Sequence, residues 1–211
     1  MEQSSNMLKR TLATPVKSTA PTVAPGVKAP SIKGKNILLS DECVSYLNYR
    51  IEQEEYSSRI YLAMSMWLNN NGYPNAAALW KKYSSEELVH ADWSREYLLA
   101  MGVQPMTPRL DAPIQEFSGL PQIIHDSYDH EIVVTKQVKD LATDAFKKGD
   151  HMLYELTLKY LKEQVEEHDK MQNWVDQLNA FGVLCERTIV SERREKNPAE
   201  WAGLAGLVGL V

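Results

Sequence analysis

Glu87 and His90 stand three residues apart in the stretch Glu86-Glu87-Leu88-Val89-His90. On a helix that spacing sends both side chains out of one face. An ionised carboxylate beside a neutral imidazole is a ligand pair for a divalent transition metal. Further segments carry groups of the same chemistry: Glu54, Glu131, and the pair Gln164 and Glu167, again three apart. Each of these has a plain alternative when taken alone. Glu54 lies in Glu52-Gln53-Glu54-Glu55, where at least two acids must face water. Glu131 follows Asp129-His130, and the run from Glu163 to Asp169 is by composition mostly a solvated, charged face. Whether they act together depends on the elements that carry them.

Four segments have the apolar spacing of helices. The first opens at Ser40-Asp41-Glu42, an N-cap with acids in its first turn. It continues through Val44, Leu47, Ile51, Ile60, Ala63, Met64 and Trp67 to a stop at Asn69-Asn70-Asn71-Gly72. The second starts after Pro74-Asn75 and runs to Met101, with Ala76, Leu79, Trp80, Tyr83, Leu88, Trp93, Leu98 and Leu99 as its apolar positions. Residues 102–118 form a long, proline-containing connection. Ser118 is the expected cap of a third helix, with Leu120, Ile123, Ile124, Ile132, Val138 and Leu141 inward, ending at Lys147-Lys148-Gly149. Asp150 caps the fourth, which is expected to run to about Phe181-Gly182. Two short joints and one long crossover between the second and third helices describe an all-α four-helix bundle.

At about 1.5 Å of rise per residue, Glu54, Glu87, His90, Glu131, Gln164 and Glu167 all reach the mid-height of such a bundle. Uncompensated carboxylates buried there cost several kcal/mol each. Metal cations would compensate them, so the joint pattern points to a buried dinuclear site.

Composition agrees with one domain. The chain has 211 residues, 44% of them hydrophobic, enough for a sizeable core. The two cysteines, Cys43 and Cys185, suit neither a disulfide framework nor a thiolate metal site and fit a reducing compartment. No secretory signal or transmembrane segment is expected, since the longest apolar run, Trp201–Val211, is too short to span a bilayer. Net charge is −5, but residues 1–39 hold six basic residues against one acid, leaving the rest near −10. An acidic body argues against nucleic acid as the main partner and suits the gathering of cations.

From about residue 41 to 182 the chain resembles a bacterial-type non-haem ferritin, within the ferritin-like di-iron family. The resemblance is carried by Leu47-Asn48, Glu54-Glu55-Tyr56-Ser57-Ser58 with Tyr61, Glu86-Glu87-Leu88-Val89-His90, Tyr128-Asp129-His130-Glu131 and Glu163-Gln164-Val165-Glu166-Glu167. It implies that Glu54, Glu87 and His90 hold one iron, with Glu87 bridging to a second held by Glu131 and helped by Glu167. It places Gln164 beside the centre and Tyr61 next to it as a possible electron donor. It assigns Glu86, Glu163, Glu166 and Glu167 to a third iron site nearby. Leu88 stands where haem-binding relatives carry a methionine, so no haem is expected. His125 and His168 fall outside the pattern and read as surface histidines.

The implied function is iron storage: Fe(II) is oxidised by dioxygen or peroxide, and the ferric product is kept as mineral in a hollow homo-oligomer, 24 subunits in the family. A cytoplasmic location is the expectation, with organelle targeting by the tail left open. The tails depart from the family. Residues 1–39 read as an extended basic, Pro/Ala-rich tail, and 183–211 as a charged linker followed by an apolar, glycine-spaced segment. The alternative reading is therefore a cage or scaffold subunit whose tails dock to another shell or partner, with iron oxidation secondary.

Overall fold

The computed structural model describes residues 39–191, with side chains to residue 180. The expectations for the basic N-terminal tail, for the side chain of Cys185 and for the apolar C-terminal segment lie outside the described residues. Four helices follow in order: α1 (Asp41–Asn70), α2 (Pro74–Ala100), α3 (Leu120–Lys148) and α4 (His151–Ser191). Among the described residues no helix is long and apolar enough to cross a membrane.

The helix ends follow local chemistry. Ser40 Oγ accepts the Cys43 N–H at 3.1 Å, and Asp41 and Glu42 sit in the first turn, where the helix dipole favours acids. Pro74 occupies the first turn of α2, where a missing N–H costs nothing. Between α3 and α4, Gly149 takes the left-handed conformation (φ 69°), and Asp150 Oδ1 then accepts the Leu153 N–H at 3.0 Å. The third start differs from expectation. Gly119 is the N-cap of α3, and Ser118, one residue earlier, donates both its N–H and its hydroxyl to Gln122 Oε1. The fourth helix also continues past Gly182 to Ser191. A single glycine weakens a helix by about 1 kcal/mol, which does not by itself end it.

Side-chain pairs fix the directions. Tyr46 meets Asp144, Arg50 meets Gln137, Ser57 meets His130 and Tyr61 meets Glu131, so α1 runs antiparallel to α3. Tyr83 meets Trp174 and His90 and Ser94 meet Tyr160, so α2 runs antiparallel to α4. The joint at Gly72 makes α1 and α2 antiparallel as well. The segment between α2 and α3 must therefore travel the bundle's length, and it does so along α1. Met106 N–H donates to Asn48 Oδ1 at 2.8 Å, Arg59 reaches the Leu110 carbonyl, and Phe117 packs edge-on against Trp67.

The apolar interior is two clusters, one at each end. One gathers Leu47, Ile51, Leu98, Val103, Val138, Leu153 and Tyr160; the other gathers Met64, Leu68, Trp80, Ile123 and Met171. Ile132, expected inward, is 45% exposed, because Glu131 beside it takes the inward position. Leu88 and Leu99 likewise face outward. Cys43 is fully buried, and burial, with Asp150 nearby, pushes its thiol up to about 12, as befits an inert core residue.

Candidate metal centre

Between the two apolar clusters lies a polar layer to which all four helices contribute. Glu54 from α1, Glu87 and His90 from α2, Glu131 from α3, and Gln164 and Glu167 from α4 are each at most 6% exposed. Every residue predicted for the dinuclear site is therefore buried at the bundle's mid-height.

Single ligand atoms of Glu54, Glu87 and His90 lie within 4.8 Å of one another, as do those of His90, Glu163 and Glu167. The two groups share His90, whose Nδ1 is 3.3 Å from Glu87 Oε2 and whose Nε2 is 3.7 Å from Glu163 Oε1. Across the layer, the Tyr61 hydroxyl donates a short hydrogen bond to Glu131 Oε1. Gln164 Nε2 donates to Glu131 Oε2 at 3.4 Å, while Thr135 Oγ1 donates to Gln164 Oε1 at 2.6 Å. That pair of bonds orients the amide: its NH2 supports Glu131 and its oxygen is already engaged. Glu86 is partly buried, whereas Glu166 is exposed and belongs to neither group. His125 and His168 are exposed, as predicted.

Charge within the layer is unbalanced. Arg50 is as buried as Glu54 and its Nε sits 2.7 Å from Glu54 Oε1. Lys170 Nζ sits 2.8 Å from Glu167 Oε1. His130, hydrogen-bonded to Ser57 at 2.8 Å, supplies no charge: burial, reinforced by Arg50, pushes it down to about 4. Among the described residues no lysine or arginine is in ion-pair contact with Glu87 or Glu131. Burial first, then Glu131, Glu54 and Glu167, holds the Glu87 carboxyl well above the usual range. Burial likewise pushes Glu131 up to about 7, with Glu167 and Glu54 adding to the rise and the Tyr61 bond opposing it. Tyr61 is itself raised well above its ordinary value by burial and by Glu131, so it remains a protonated donor. The layer thus holds carboxylates in excess of cations, and carboxyl oxygens with one imidazole suit Fe, Mn or Zn.

A family model for the ferritin-like domain matches residues 44–181, well over half of the chain. The chain belongs to the ferritin-like family. Its ferritin-like region is 30% identical over 145 residues to a probable bacterial non-heme ferritin-like protein of Haemophilus influenzae, covering 69% of this chain and 88% of that relative. It is 30% identical over 162 residues to a bacterial non-heme ferritin of Campylobacter jejuni, covering 77% and 97%. Among solved structures, the bundle superposes on an open-pore ferritin from the archaeon Archaeoglobus fulgidus with a TM-score of 0.67 at 27% identity, over 68% of this chain and 89% of that one.

Two residues of the ferritin-like centre were missed by sequence reasoning. Arg50 precedes Glu54 by one helical turn and follows Leu47 by three residues on the same face, and that i,i+4 spacing was the available signal. Lys170 follows Glu167 by three, but inside a run of charges its spacing is indistinguishable from a solvated face.

Proposed function

We propose that this chain oxidises Fe(II) at a dinuclear centre within each subunit and stores the ferric product inside a hollow homo-oligomer. The observation that carries this reading is the buried pair Glu87 and Glu131, two carboxyls at mid-bundle with no lysine or arginine in ion-pair contact among the described residues. Glu54, Glu87 and His90 supply one set of donors; Glu131 and Glu167, with Glu87 shared between the two sets, supply the other. The ferritin-like fold and the relatives named as non-heme ferritins support iron as the metal and storage as the purpose.

Iron is the substrate. Two ferrous ions lose one electron each, and dioxygen, accepting both with two protons, leaves as hydrogen peroxide. The chain's own part is positional and acid–base. Burial favours the protonated forms of Glu87 and Glu131, and entering cations displace those protons, leaving charged ligands where the charge is needed. Tyr61 and Gln164 hold the Glu131 carboxylate by both oxygens, so it meets the second ion already oriented. The test is the double variant Glu87→Ala/His90→Ala in stopped-flow aerobic Fe(II) oxidation. Fast oxidation should vanish while light scattering still reports the assembled particle. Oxidation at the parental rate would refute the catalytic assignment.

A further inference from the structure

The resemblance assigned Glu86, Glu163, Glu166 and Glu167 to a third iron. The residues between Glu86 and Glu167 do not fit one. Lys170 Nζ stands 2.8 Å from Glu167 Oε1 and 3.8 Å from Glu86 Oε2. The other Glu86 oxygen is 3.3 Å from Lys82 Nζ, so both oxygens of that carboxylate face an ammonium. Among the described residues Glu86 Oε2 is buried without a hydrogen-bond partner, and Lys170 is the ammonium in ion-pair range of it. Glu163 turns the other way, toward His90 Nε2 at 3.7 Å, and Glu166 points to solvent.

We propose that Lys170 is a built-in cation that takes the place of a third metal ion between Glu86 and Glu167, so that the centre accepts two ions per subunit. The placement is set by the helix. Glu163, Glu167 and Lys170 follow i, i+4, i+7 on one face of α4, and α2 brings Glu86 up against them. An ammonium delivers one charge and three donors to carboxylates that would otherwise demand a metal. A divalent ion entering there would meet that charge at close range, and it would have to displace a lysine hydrogen-bonded to Glu167 and ion-paired with Glu86. Tethering through Glu167 Oε1 leaves that residue's other oxygen for the dinuclear centre. Lys170 is thus a specificity residue: it sets the metal count and limits Glu167 to a single free donor.

The inference rests on the dinuclear reading, and one experiment separates the two. Crystals of the assembled full-length protein are soaked in Zn(II), a redox-inert probe, and ions near the layer are counted by anomalous scattering. Two are expected per subunit in the parent, with Lys170 bridging Glu86 and Glu167. Three are expected in Lys170→Met, the new one between those carboxylates, and two again in Lys170→Arg. A third ion between Glu86 and Glu167 in the parent overturns the inference, as does a count of two in Lys170→Met. Should the methionine variant not assemble, Lys170→Gln serves in its place, and the parent soak still decides. No ion among Glu54, Glu87, His90 and Glu131 would instead overturn the dinuclear reading, and this inference with it.

Discussion

Replacing Arg50 by methionine should cripple the metal-free protein far more than the metal-loaded one. Arg50 and Glu54 are each 2% exposed, with Nε and Oε1 2.7 Å apart. At that separation two unit charges attract by about 6 kcal/mol at an effective dielectric near 20. Desolvation cancels much of this, so the pair as a whole adds little to stability. Removing one partner is different. It strands a buried charge, at a cost of about 3–5 kcal/mol. Methionine keeps the apolar stem but not the guanidinium, so some lost packing and the lost bond to Gln137 add to the change.

For a bundle of this size each kcal/mol lowers the midpoint by about 2–4 °C, giving a loss of roughly 10–15 °C. The assay is calorimetry of chelator-treated protein at one scan rate, for the parent, Arg50→Met, Glu54→Gln and the double variant. Each single variant should lose stability, and the double variant should recover most of it, because neither charge is then stranded. Saturating Zn(II) should narrow the gap between Arg50→Met and the parent, since an ion held by Glu54, Glu87 and His90 replaces the lost positive charge. A metal-free Arg50→Met midpoint within about 2 °C of the parent would refute the stranded-charge argument. So would a double variant no better than the worse single one.

Three further outcomes follow from the same layer. Glu131 is pushed up to about 7 in the folded protein, so its neutral form is native. Its stabilising contribution is full below the unfolded value near 4.3 and is lost as pH rises toward about 7, at up to about 1.4 kcal/mol per unit. Urea midpoints of the metal-free parent and Glu131→Gln between pH 5 and 7 should diverge accordingly; parallel curves would contradict the assignment. Tyr61→Phe removes the hydroxyl that donates to Glu131, which should cost about 1–3 kcal/mol in denaturant unfolding and weaken Zn(II) binding about tenfold at pH 6.5 by calorimetry. Deleting residues 1–38 should leave the aerobic Fe(II) oxidation rate unchanged, because every donor of the layer lies between Glu54 and Glu167; a lost rate would tie the tail to the centre.

Much of the bundle is legible from spacing alone, and the exceptions are instructive. Ser40 and Asp150 cap their helices as their types and positions suggest, since an N-cap is a contact between residues three apart. Ser118 gave way to Gly119 because Gln122 reached back to bond it, a local competition that type and position do not rank. Ile132 is expected inward because apolarity is taken for burial, and Leu88, one of the apolar positions of α2, also faces out. Glu131 and Glu87, their neighbours, occupy the inward positions instead. Where a polar layer interrupts a core, the rule linking apolar side chains to the interior reverses locally.

The sequence by itself determined the four helices, their order, and the equal depth of Glu54, Glu87, His90, Glu131, Gln164 and Glu167. Those features are periodic and local: counting residues along a helix of fixed rise locates them without knowing its neighbours. Only the tertiary structure decided which charges meet. That Lys170 stands between Glu86 and Glu167, and that Glu87 and Glu131 have no lysine or arginine in ion-pair contact among the described residues, depend on distances between helices. Electrostatic energy in a buried layer varies with those few ångströms and with access to water. Neither quantity is written in the spacing of residues along a single helix.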